Sequence, residues 1–286
     1  MSDVFDRRWS LAVDGVQVVE PMADSLKCTF DIVHEFGGVI AYSVINIYNL
    51  SKQTVSQHLK KGSLLIFSAG YVDNLGQVFN GTIVNVNTVR DDTNLITKIT
   101  CTSGNKSRTK NVIASKTFAA NTKPLDVIKY CVSQLGYAIS IRDSDFSSEQ
   151  SITSSYAVFG DGIELLNSLS YTYKFDWTIE ADTIVIIKKK SFRDGSPVLV
   201  SRETGMEDRP EYSEVGYVVK VRLNPKLRIG GRVDIQSDFR DFNFGALHFK
   251  EIPESVGNGV YTVKKITIKG DTHGNDWTSR IEGHTI

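Results

Sequence analysis

The sequence predicts a mainly β protein with an α+β insert: two small β-barrel domains flanking a middle domain in which a helix and a strand occur twice. Three observations predict it. Apolar residues alternate with period two over about 1–110, the period becomes helical over 111–190, and strands punctuated by Asn-Pro, Gly-Gly and Gly-Asp turns return over 218–286. Between the last two blocks, 191–217 carries Pro197, Gly205 and Pro210, the composition of a linker or of an ordered arm laid on a neighbour.

In the first block, Trp9, Leu11 and Val13 alternate into Asp14-Gly15, a two-residue hairpin signal, and Val16 and Val18 continue beyond it. Strands are expected at 26–33, 42–50, 64–71, 78–90 and 95–102. One short helix fits Ser51 to Lys61: Ser51 caps it, Val55 and Leu59 lie one turn apart, and Gly62 supplies a left-handed stop. Several short strands with one small helix predict a closed or nearly closed barrel.

In the second block, Thr122 is the expected cap of a helix with Pro124 in its first turn and Leu125, Ile128, Val132 and Leu135 on one face, ended by Gly136. A strand at 137–141 follows. Asp161 and Glu164 open a second helix with Leu165, Leu166 and Leu169 as its apolar face, and 175–179 with 183–188 read as a hairpin. In the third block, Val219, Val221 and Leu223 and then Val233 and Ile235 alternate around Pro225 and Gly230-Gly231, which interrupt the ladder and turn the chain.

A chain of 286 residues, 41% hydrophobic and 23% charged, is long enough for two or three modest domains. No apolar run approaches the roughly 20 residues of a spanning helix. The N-terminus has no apolar signal core, so a cytoplasmic site of synthesis is expected. Cys28, Cys101 and Cys131 are far apart with no CxxC pair and read as buried free thiols. The formal charge is zero and each block is near balance, which argues against counterion-driven binding to a phosphate backbone.

The sequence contains no GxxxxGK[ST], GxSxG or HExxH, and no catalytic residue, cofactor or metal is expected. Gly160-Asp161-Gly162 could present amides to an anion, but a capped helix start is the favoured reading. Asp271, His273 and Asp276 could group around a metal, yet Asp and Asn in a Gly-rich turn more often close the turn locally. His34, His58, His248 and His284 have no sequence-local metal partners. Lys188, Lys189 and Lys190 read as a solvated strand end. Tyr171, Tyr173, Phe175 and Trp177, spaced by two, are expected on one face of an extended segment, packing the core of the insert. Phe239, Phe242 and Phe244 lie in a mixed aromatic and charged loop and are the candidate subunit contact.

The segments TGMEDRPE (204–211), RLNPKLRIGGRVDIQS (222–237) and GDTHGNDWTSRIEG (270–283), with IYNLS (47–51), SAGY (68–71) and VFNGTIVNV (78–86), resemble bacteriophage tail baseplate hub proteins. The resemblance implies a structural, non-enzymatic virion component assembled in the host cytoplasm. It implies a homotrimer whose paired barrels imitate sixfold symmetry, joining the hexameric tail tube to the trimeric spike beside other baseplate proteins. No membrane partner is implied, and nucleic acid at most passes transiently through the channel. The chain is compact for such a hub, so accessory domains of larger relatives are expected to be missing. Two other readings stay open: a stand-alone barrel module binding an oligonucleotide or carbohydrate, and a cell-wall hydrolase using acids such as Glu164, Asp176 or Glu180.

Overall fold

The structure, a computed structural model, describes residues 6–22, 26–37, 41–103, 112–213, 216–239, 241–243 and 257–285. The chain forms two units: Met1–His34, Tyr42–Thr102 and Gly195–Ile286 make one, and Glu35–Ala41 with Ser103–Asp194 make the other.

The first unit begins with β1 (Arg7–Val13), β2 (Val16–Val19), β3 (Cys28–Glu35), β4 (Tyr42–Tyr48), α1 (Lys52–His58), β5 (Leu64–Tyr71), β6 (Gly76–Asp91) and β7 (Asn94–Thr102). Alternation decides which faces are buried. Trp9, Leu11 and Val13 of β1, Cys28, Phe30 and Ile32 of β3, and Leu65, Phe67 and Ala69 of β5 all point inward. Asp14 and Gly15 both hold positive φ, so the β1–β2 turn has the twist that antiparallel strands require. Ser51 caps α1 by accepting from the Thr54 amide, and Gly62 turns the chain with φ +93°. The helix stops at His58, short of the expected Lys61; the Leu59 amide still bonds the Val55 carbonyl, and Leu59 is buried.

The second unit contains β8 (Ile113–Phe118), α2 (Pro124–Gln134), β9 (Ala138–Ser140), a 3-10 turn at Asp143–Phe146, β10 (Tyr156–Asp161), α3 (Gly162–Tyr173), β11 (Phe175–Glu180) and β12 (Thr183–Lys188). Strand, helix, strand therefore occurs twice in succession. β8 pairs antiparallel with β10, β11 with β12, and β9 joins β12 in parallel. Val127, Ile128, Cys131 and Val132 of α2 and Leu166 and Leu169 of α3 pack with Phe175 and Trp177 in one core. Gly162 lets the start of α3 pack closely on Leu135, whose terminal methyl would lie 2.7 Å from a Cβ there.

Two expectations for this unit are corrected. Thr122 does not cap α2: Pro124 occupies the first helical position, Lys123 becomes the capping residue with no side-chain bond, and the Thr122 hydroxyl donates to the Ala119 carbonyl. The four aromatics do not share one extended face. α3 runs through Tyr173 and ends on Lys174 in the left-handed region, leaving Tyr171 79% exposed, and Phe175 and Trp177 belong to β11.

The chain then returns to the first unit with β13 (Val198–Val200), β14 (Glu211–Ser213), β15 (Gly216–Arg222), β16 (Arg232–Ile235), β17 (Asp241–Asn243), β18 (Gly259–Asp271) and β19 (Trp277–Thr285). All strands of this unit belong to one 14-stranded sheet, seven from each side of the insert. Its main order is β17-β14-β15-β19-β18-β3-β4-β7-β6-β5-β1-β2, with β16 on β18 and β13 on β16. The joint between the halves is β18 against β3. Bulges interrupt the register at Leu11/Ala12, Phe67/Ser68, Ile83/Asn85 and Val263/Lys265, places where a strand bends and twist increases. The fold is mainly β with several sheets, and among the described residues no ladder closes into a barrel: β2 and β17 are open ends.

Candidate subunit interface and its supporting turn

The turn between β18 and β19 is built by residues from both halves of the sheet. Arg7 Nη1 donates to the carbonyls of Asp271 (2.6 Å) and Gly274 (2.7 Å), and Nη2 to that of Asn275 (3.4 Å). Its guanidinium lies 5.3 Å from the Trp277 ring centroid. The buried Trp277 indole donates to the Gly70 carbonyl at 3.2 Å. Phe30 stands edge-on to both Trp277 (5.3 Å) and Phe67 (4.9 Å), and Trp9 continues the row beside Phe67. Gly270 admits the Phe30 ring, since a Cβ there would lie 2.2 Å from it.

Asp271 closes this turn. Its Oδ1 accepts from the His273 amide at 2.8 Å, and the Thr272 hydroxyl contacts His273 Nδ1 at the same distance and accepts from the Cys28 amide at 3.0 Å. Among the described residues no three His, Cys, Asp or Glu side chains gather as a metal site. Burial pushes the Cys28 thiol well up, and the Asp271 carboxylate adds to the effect. Burial likewise raises Cys101 to about 12 and Cys131 to about 11. All three are free thiols.

The candidate contact loop follows β16. Phe239 is 70% exposed, Phe242 stacks 5.9 Å from Tyr212 at the β14–β17 end of the sheet, and Phe244 lies outside the described residues. The Ser237 hydroxyl donates to the Phe239 carbonyl at 2.7 Å, and Asn258 accepts from the Ser237 amide, so the loop has a defined path. Beside it opens a groove of about 900 Å³. Its walls carry five carboxylates, Glu203, Glu207, Asp208, Asp234 and Asp238, against two guanidinium groups, Arg202 and Arg209. Composition gave no sign of this local excess, because the carboxylates come from two separated segments.

The remaining sequence-level candidates have local duties. Asp161 Oδ1 accepts from the Ile163 and Glu164 amides, the donors an anion at that helix start would use. Glu180 is held by Arg193 at 2.6 Å. Lys188 pairs with Glu149 and donates to the Asp145 carbonyl, while Lys189 and Lys190 are exposed. His34 Nε2 contacts the Val78 carbonyl, and His248 lies outside the described residues.

The family model described as Baseplate hub gp41 matches residues 40–244. No curated protein matches the chain. Among solved structures, the chain is similar to the 43 kDa tail protein of prophage MuSo2 from Shewanella oneidensis, with a TM-score of 0.62, 9% identity, and coverage of 98% of this chain and 97% of that one. A tail protein from Neisseria meningitidis MC58 gives 0.60, 10%, 98% and 96%. The E. coli c3393 protein, described as a type VI secretion component with structural similarity to the T4 tail proteins gp27 and gp5, gives 0.59, 10%, 96% and 76%. At such identities these likenesses establish the fold. The family match, covering well over half of the chain, establishes more: the protein belongs to the baseplate hub gp41 family and is a structural component of the bacteriophage tail baseplate.

Proposed function

We propose that three copies form the central hub of the baseplate, joining the sixfold tail tube on one side to the threefold spike on the other. The observation that carries this reading is the 14-stranded sheet with seven strands from each side of the insert. Each half supplies one barrel-like wall, bent at the bulges, and three copies then present six such walls around an axis. The open ladder ends, β2 and β17, favour closure between copies, since unpaired edges are relieved by pairing or covering. The hub works by position and symmetry, with no chemical turnover, and DNA passes through it without being read. Light scattering on the purified protein at micromolar concentration, alone and with the spike protein, tests this. A three-copy mass in either sample supports the reading, and a protein that stays monomeric in both contradicts it.

A further inference from the structure

We infer that the acidic groove beside Phe239 receives the α1 end of a second copy, in a head-to-tail contact. This inference rests on the ring reading above and names the surfaces that close it. The lysines and Glu203 of the groove lie at opposite ends of β5. A smaller cavity of about 530 Å³, lined by Asp6, Asp73, Glu203 and Arg222, also meets Tyr71 and Asn74, so Glu203 ties the acidic region to the Tyr71 end of β5. At the other end of β5, Lys60 and Lys61 lead directly into Leu64, and Lys52 opens α1; all three lysines are exposed. The eight residues of β5 separate the ends by roughly 23 Å. The lysines therefore lie about a strand's length from Glu203, which lines the groove.

Shape chemistry agrees with charge. Leu64, three residues after Lys61, is 40% exposed. Phe239 is the exposed apolar side chain at the rim of the groove. An exposed aromatic side chain set against an exposed aliphatic one, flanked by opposite charges, is a pattern of interface contacts. Asp14 lies within electrostatic reach of Lys60, but its side chain accepts from the Leu64 amide at 2.8 Å and so faces the turn. Because the two surfaces differ, the contact is heterologous and generates a ring where the rotation closes.

Charge reversal tests it. Lys60→Glu with Lys61→Glu in one variant, and Asp234→Lys with Asp238→Lys in another, are each expected to weaken self-association at least tenfold in sedimentation equilibrium, and added salt to weaken the wild type. Mixing the two variants is expected to restore a dimeric contact between unlike chains, which a merely misfolded variant cannot do. Phe239→Ser, at an exposed position, is expected to weaken association without shifting the melting temperature. Wild-type assembly that is indifferent to all these changes overturns this contact and leaves the ring standing. A wild-type protein that never associates overturns both.

Discussion

Arg7 shows how far a single side chain reaches in this protein. It bonds three carbonyls of a turn more than 260 positions away and covers Trp277, so the first described strand fixes the last hairpin. Charge-assisted bonds to partly buried carbonyls are worth about 1.5–3 kcal/mol each when a partner is left unsatisfied. Arg7→Ala is expected to lower the unfolding free energy by about 2–3 kcal/mol in urea titration, and Arg7→Lys to recover only part, because an ammonium lacks the fork. The turn residues Asp14, Gly15, Ser51, Asp161 and Gly62 were legible because they act on neighbours in sequence. Arg7 was not, since nothing near it in sequence announces a distant partner. The cysteines give a pH prediction. Their folded-state values lie above the unfolded one, so the stabilisation is complete below about pH 9 and is lost as pH rises toward 11 for Cys131 and 12 for Cys101. The melting temperature is therefore expected to fall between pH 8.5 and 10.5, and Ellman's reagent at pH 8 to label no cysteine until denaturant is added.

At the scale of elements, alternation revealed strands but not their partners. The strong patterns of β1, β3 and β5 carry their inward faces openly. β8 and β10 were missed because each buries only one or two apolar residues, too few for a period. The extent of α3 was misread because Tyr171 and Tyr173 mimic a period of two across a helix end. The joint of β18 with β3 was illegible for a different reason: its ends are separated by the whole insert, and pairing of that range has no local signature. Gly270 tests this joint. Gly270→Ala drives a methyl group into the Phe30 ring, and an overpacked core of this kind costs about 1–3 kcal/mol. Adding Phe30→Leu is expected to restore part of the loss, giving a non-additive double-mutant cycle. Additive losses would mean that the ring is not the obstacle.

At the scale of the whole molecule, one sheet made from both halves implies one cooperative transition for the first unit. Amides of β3 and β18 are expected to exchange with the same opening free energy in hydrogen-exchange measurements, and removal of 258–286 to expose β3 along its length. Separate exchange of the halves would contradict this. The acidic groove belongs to this scale too, since Glu203, Asp208, Asp234 and Asp238 converge only when the returning strands fold. In the proposed assembly these doubled strands form a threefold ring imitating six units on the tail axis. Electron cryomicroscopy of the isolated tail tests it most directly. Three copies are expected around the axis between tube and spike, with six similar walls facing the channel. A reconstruction placing the protein off the axis, or in a copy number other than three, would contradict it.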